Sequence, residues 1–258
     1  MKKRVKYTRI IIIILLVFFT FIWAVLTDII RLRKTEDMAG SEDAISILFV
    51  GSSHIFVGGL PGQLQTISQI YDVEIIYKDI SRHGNRGGTL NELKDSAISE
   101  IRSGRFDYII LQDQTRRSLN DKEGLLDVIQ ILCAEARENG VEPVLYNSAW
   151  AMTGGHPDEE RLKESTELYK KAADENDAIL INAADAWIYA YQQIPGISLY
   201  TKFDLRGPHA NKAGGFLTAC LFAAVLFDLH IEDIPSDIID LAQAAWDFFM
   251  LHSDLCTR

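Results

Sequence analysis

Short apolar, β-branched runs recur along this chain at residues 45–50, 73–79, 106–111, 142–147 and 178–182, each bounded by Gly, Asp, Asn or Ser. Runs this short with such flanks read as strands. Between them, apolar positions spaced three and four apart predict helices over 61–71, 89–103, 121–139, 158–176 and 183–193. In the fourth of these, Leu162, Tyr169, Ala172 and Ala173 form one stripe, and Asp158, Glu159 and Glu160 place negative charge on the first turn, where the helix dipole favours it. Strands that alternate with helices imply a mostly parallel, five-stranded sheet covered on both faces, a three-layer α/β/α fold. Two further helices, 211–229 and 238–251, are rich in Ala and aromatic residues and are expected to pack on that sheet.

The N-terminus has a different pattern. Lys2, Lys3, Arg4, Lys6 and Arg9 precede an apolar run, 10–26, softened only by Thr20. Its 17 residues lie at the short end of the roughly 20 that span a bilayer. A cleaved signal peptide is the competing reading, but no clear small-residue cleavage site follows and the run exceeds an ordinary signal core. The expectation is an uncleaved transmembrane helix. Five basic residues before the run and three after it (Arg31, Arg33, Lys34) put the N-terminus in the cytoplasm and the rest of the chain outside. The organisation expected is a basic segment and anchor at 1–34, a polar linker at 35–43 and a folded domain at 44–258.

Charge sharpens this division. Residues 1–34 carry eight Lys or Arg against one Asp, or +7, so a total of −10 leaves −17 for residues 35–258. So acidic a domain repels phosphate, which excludes nucleic acid as a partner. Cys133, Cys220 and Cys256 are odd in number and widely spaced, and they suggest neither a disulfide framework nor a zinc ribbon.

Open parallel sheets bind ligands beyond the carboxyl ends of their strands. Here those loops begin at Gly51, Ile80, Gln112 and Ser148. The first reads Gly51-Ser52-Ser53-His54, while a loop far downstream brings together Asp204 and His209. Serine, histidine and aspartate are the three groups that activate a hydroxyl nucleophile. The dinucleotide, P-loop and nucleophile-elbow patterns are all absent. His54 and His83 with Asp113 could be imagined around a metal, but no H-x-x-x-H or H-E-x-x-H spacing supports it, and no metal or cofactor is expected.

On these residues the chain resembles the SGNH/GDSL hydrolase superfamily over roughly residues 44–229, in which the nucleophilic serine ends a G-D-S or G-N-S motif after the first strand. The segment ILFVGSSHIFVGGLP, 47–61, is similar to that first block, which implies Ser53 as nucleophile and Ser52 in the variable position. The second block implies an oxyanion-binding glycine, here Gly84 or Gly87. The third supplies an asparagine in a G-x-N-D motif; this chain has Leu111-Gln112-Asp113-Gln114 instead, so Gln114 or Gln112 would donate in its place. The last block is D-x-x-H followed by a helix of small residues. PHANKAGGFL, 208–217, fits the histidine and that helix, implying His209 as base. Asp204 stands five residues before it rather than three, and Asp185 is a second candidate orienter.

The resemblance implies a carboxylic-ester hydrolase acting through an acyl-enzyme, and the exported location suggests O-acetyl or other short-acyl esters of glycans; Trp150, Trp187 and Tyr200 would stack on sugars if they rim the pocket, although aromatic rings at such positions are more often core. Two other readings stay open: an acyltransferase using the same triad, and a non-catalytic glycan-binding domain of the same fold.

Overall fold

In the computed structural model of the chain the described residues are 40–41, 43–82, 88–148, 152–153, 156–201, 209–228, 239–252 and 256. The expected anchor lies outside them, and among the described residues no helix is long and apolar enough to cross a membrane. Five strands, β1 (Ile45–Val50), β2 (Ile75–Asp79), β3 (Tyr108–Leu111), β4 (Glu142–Asn147) and β5 (Ile179–Asn182), form one sheet. Their order is β2-β1-β3-β4-β5 and every pairing is parallel. Residues 47–50 of β1 and 109–111 of β3 are fully buried, as expected of strands covered on both faces.

Two strands start two residues later than the apolar pattern predicts, each for a local reason. Val73 still donates its N–H to Ser68 O at the end of the preceding helix, so β2 opens at Ile75. Before β3, the Asp107 carboxylate accepts from both Ser46 N (2.7 Å) and Ser46 Oγ (2.6 Å), a side-chain clasp beside the single backbone bond from Asp107 N to Ser46 O (2.9 Å).

The helices are α1 (Ser53–Phe56), α2 (Leu60–Ile70), α3 (Leu90–Ile101), α4 (Arg117–Asn120), α5 (Lys122–Glu138), α6 (Glu159–Asn176), α7 (Ala183–Gln193), α8 (Lys212–Phe227) and α9 (Ile239–Leu251). Side-chain caps explain where several begin. Thr89 and Glu92 make a reciprocal capping box at α3. Asp121, Asp158, Asn182 and Asn211 cap α5, α6, α7 and α8. One face of the sheet carries α3, α5 and α6, and the other carries α2, α7, α8 and α9. A two-residue hairpin, Met152–Thr153 with His156–Pro157, precedes α6.

Helix α8 is apolar all round and, apart from the partly buried Phe216, buried from Gly214 to Leu226, as befits an element enclosed by α2, α7, α9 and the sheet. It approaches its neighbours backbone to backbone. A Cβ on Gly214 would lie 2.1 Å from Leu199 O, and one on Gly215 would lie 2.0 Å from Gly58 O. The cysteines are buried and remain thiols. Burial pushes the Cys133 thiol up to about 12 and raises that of Cys220 as well.

These contacts make the two glycine environments experimentally separable. Gly215→Ala should destabilise the domain by about 1–3 kcal/mol, since the intruding methyl meets backbone that cannot yield like a side chain. Gly62→Ala, on α2 with nothing within 4 Å, should be neutral or stabilise by up to about 1 kcal/mol. Urea midpoints for the two variants check both.

Candidate active site

Strand β1 delivers the Gly51-Ser52-Ser53 turn at the point where the strand order reverses between β1 and β3, the usual ligand crevice of such sheets. Gly51 is required there, because a Cβ would stand 2.2 Å from Gln112 O. Ser52 is extended (φ −98°, ψ −174°) and caps α1, its Oγ lying 3.5 Å from His54 N.

The two serines part company in their hydrogen bonds. Ser52 donates both its N–H (2.9 Å) and its hydroxyl (2.8 Å) to Gln112 Oε1, so its proton is committed inside the fold. Ser53 Oγ lies 2.7 Å from His209 Nε2. Both residues of that pair are buried, which strengthens the hydrogen bond by excluding water. As the first residue of α1, Ser53 also has no acceptor within the helix for its N–H.

His209 comes from 156 residues further along the chain, and its backbone is held on both sides. Thr201 N donates to His209 O (2.9 Å), Asn211 N donates to Leu199 O (2.9 Å), and Tyr200 and Ala210 form an antiparallel bridge. Asn211 caps α8 through Gly214 N and donates its Nδ2 to Ser198 O (2.6 Å). Gln63 Nε2 then ties Gly58 O (2.5 Å) to Lys212 O (3.2 Å), joining the turn after α1 to the start of α8. Asp204, Gly84 and Gly87 lie outside the described residues.

The loop after β3 corrects one expectation. Gln112 is fully buried, and its Nε2 donates to Asp113 O and to Ser148 Oγ (3.3 Å) while its Oε1 serves Ser52. The obligate donor Ser52 N–H fixes which end of the amide is the oxygen. Both N–H groups and both lone pairs are therefore spent, and Gln112 has nothing left to offer an oxyanion. Of the two glutamines, Gln114 remains; it is half-buried, its N–H donating to Asp113 Oδ1 (2.6 Å) and its carbonyl accepting from Arg117 N (2.8 Å).

Asp113 between them is a buried carboxyl. Burial pushes it up to about 6, although Arg117 Nη1 (3.1 Å) and the N–H groups of Gln114 and Leu90 pull the other way. Through the Leu90 N–H it pins the start of α3. Asp185, the second candidate orienter, is held by Asn182 Nδ2 (2.7 Å) and by Thr166. That places it in a polar cluster with Asn147 and Ser165 at the ends of β4 and β5. Trp187 is core, donating its Nε1 to Thr218 Oγ1 (3.2 Å), so it does not stack on sugars; Tyr200 is half-buried beside the core. Among the described residues no group of three or more His, Cys, Asp or Glu could hold a metal ion.

His209 has an aromatic neighbour that no sequence pattern signals. The His54 ring stacks on that of His209 with centroids 4.9 Å apart and planes tilted by 30°. Burial, then the adjacent His209, drives His54 down to about 3 from an ordinary 6.5. The folded state thus keeps His54 neutral where the unfolded chain already takes up a proton. Stability from this residue is present above pH 6.5 and is lost as pH falls from there toward 3, at up to about 1.4 kcal/mol per pH unit. His54→Phe, which keeps a ring, should flatten the decline in urea midpoint between pH 6.5 and 4 relative to the unaltered chain.

No family model matches the sequence and no curated protein matches it. Solved structures do match, at low identity. A candidate SGNH hydrolase from Slackia heliotrinireducens superposes with a TM-score of 0.54 at 18% identity, covering 70% of this chain and 97% of that one. An acetyl xylan esterase, AlAXEase, gives 0.54 at 17%, covering 70% and 100%. A lipase/acylhydrolase from Enterococcus faecalis gives 0.53 at 13%, covering 69% and 93%. The five-stranded domain has the fold of the SGNH hydrolases.

Proposed function

We propose that this chain is a serine hydrolase of carboxylic esters in which Ser53 is the nucleophile, His209 the general base and Asp204 the residue that orients His209. The observation that carries the reading is the 2.7 Å contact between Ser53 Oγ and His209 Nε2 at the switch point of the sheet. With its proton on Nδ1, His209 accepts the Ser53 hydroxyl proton at Nε2 as Oγ attacks the ester carbonyl. The Ser53 N–H, an N–H of Gly84 or Gly87, and the Gln114 amide receive the oxyanion. The proton then passes from Nε2 to the departing alcohol oxygen and leaves Ser53 acylated. Water gives its proton to His209 and attacks the acyl group. The carboxylic acid leaves, and Ser53 regains its hydrogen.

The basic N-terminus and the apolar run 10–26 support a single-pass anchor with the hydrolase domain outside the cytoplasm. In that place the ester class we propose is short-acyl, above all O-acetyl groups of envelope or environmental glycans.

Hydrolysis of a short-chain chromogenic ester by the full-length chain tests the assignment. Ser53→Ala and His209→Ala should each lower kcat/KM by about 10³-fold or more. Ser52→Ala, which leaves the Ser52 N–H on Gln112, should stay within about ten-fold of the unaltered protein. Equal rates for all four would remove the nucleophile from Ser53. Acyl groups recovered on an added sugar or alcohol rather than as free acid would move the activity to acyl transfer.

A further inference from the structure

We infer that Gln112 is a positioning residue for the nucleophile: its buried carboxamide ties the loops after β1, β3 and β4 together and sets the backbone from which Ser53 projects. This rests on the reading of Ser53 as nucleophile.

The amide is spent in all directions. Oε1 takes two donors from Ser52, and Nε2 gives one bond to Asp113 O in its own loop and one to Ser148 Oγ in the next. The main chain repeats the grip, since Gln112 N donates to Val50 O (3.0 Å) and Gln112 O sits where a Cβ of residue 51 would have to be. Ser52 therefore cannot rotate about its extended φ and ψ without leaving a buried acceptor or donor unmade. The next peptide unit carries the Ser53 N–H, and the next side chain is the Ser53 hydroxyl, so both oxyanion donor and nucleophile inherit their direction from Ser52.

Packing alone gives no reason for a primary amide here. A side chain fully removed from water is less costly as Leu or Met than as Gln, unless the hydrogen bonds of the amide are the purpose. A nucleophile displaced by about 1 Å can lose on the order of 100-fold in rate. An unpaired turn at Ser52 could allow a shift of that size.

The test uses the full-length chain and two readouts, ester kinetics and the second-order rate of covalent labelling by a p-nitrophenyl organophosphate, which reports the reactivity of Ser53 directly. Gln112→Met preserves length and removes every side-chain hydrogen bond. Its kcat and its labelling rate should fall together, by on the order of 100-fold, with KM within about two-fold. Ser148→Ala withdraws only one acceptor from the amide and leaves the packing intact. It should slow labelling by roughly three- to ten-fold, and it decides the matter if Gln112→Met does not fold. Rates per folded molecule equal to those of the unaltered chain in whichever of these folds would overturn the role, as would a raised KM at constant kcat. An unaltered chain that takes up no organophosphate would bring down the nucleophile assignment and this inference with it. A labelled unaltered chain with equally labelled variants would bring down this inference alone.

Discussion

The site depends on one close approach, that of the α8 backbone to the carbonyls of Leu199 and Gly58. His209 lies three residues before α8, and Gly58 lies five residues after Ser53, so the spacing between helix and turn sets the spacing between His209 and Ser53. A methyl group at Gly215 would run into the Gly58 carbonyl and press the helix away from that turn. Glycine in a helix costs roughly 1 kcal/mol per residue against alanine, and two in succession are hard to account for in an isolated helix. They make sense in a helix whose first turn must lie directly on another segment's main chain.

The parallel sheet then decides which loops can meet. Order β2-β1-β3 leaves a crevice beyond Val50 and Leu111, and polar side chains of the loops after β1 and β3 meet beside it. Ser52 reaches across to Gln112, Asp113 reaches to the N–H of Leu90, and Arg117 holds Asp113 from the far side. A carboxyl as deeply buried as Asp113 is tolerated because a cation and backbone donors surround it. The turn after β1, the loop after β3 and the start of α3 are thereby fastened to one another beside the Ser53–His209 pair.

Much of this was legible in the residues. The first strand was readable to its ends because an unbroken apolar run stops at Gly51, and caps such as Asp158 and Asn211 announce their helices by type and position. What escaped the pattern was short or directional. Helices α1 and α4 have four residues each, too few for a period, and the true starts of β2 and β3 depend on bonds from Ser68 and Ser46 that no local pattern encodes. Gln112 looked like a donor because residue type says that an amide is present, whereas only the fold says which way its two ends face. The stacking of His54 on His209 is a tertiary fact of the same kind. Trp187 proved to be core, since its indole N–H found Thr218.

The buried thiols bear on where such a chain can function. An unpaired number of cysteines is a liability in an oxidising milieu, where exposed thiolates cross-link neighbouring molecules or trap folding chains in wrong pairings. Here Cys133, Cys220 and Cys256 are all buried in the folded domain, and burial holds the first two thiols in their protonated, unreactive form. Once folded, the domain therefore presents no exposed thiol to an oxidant and no disulfide to a reductant.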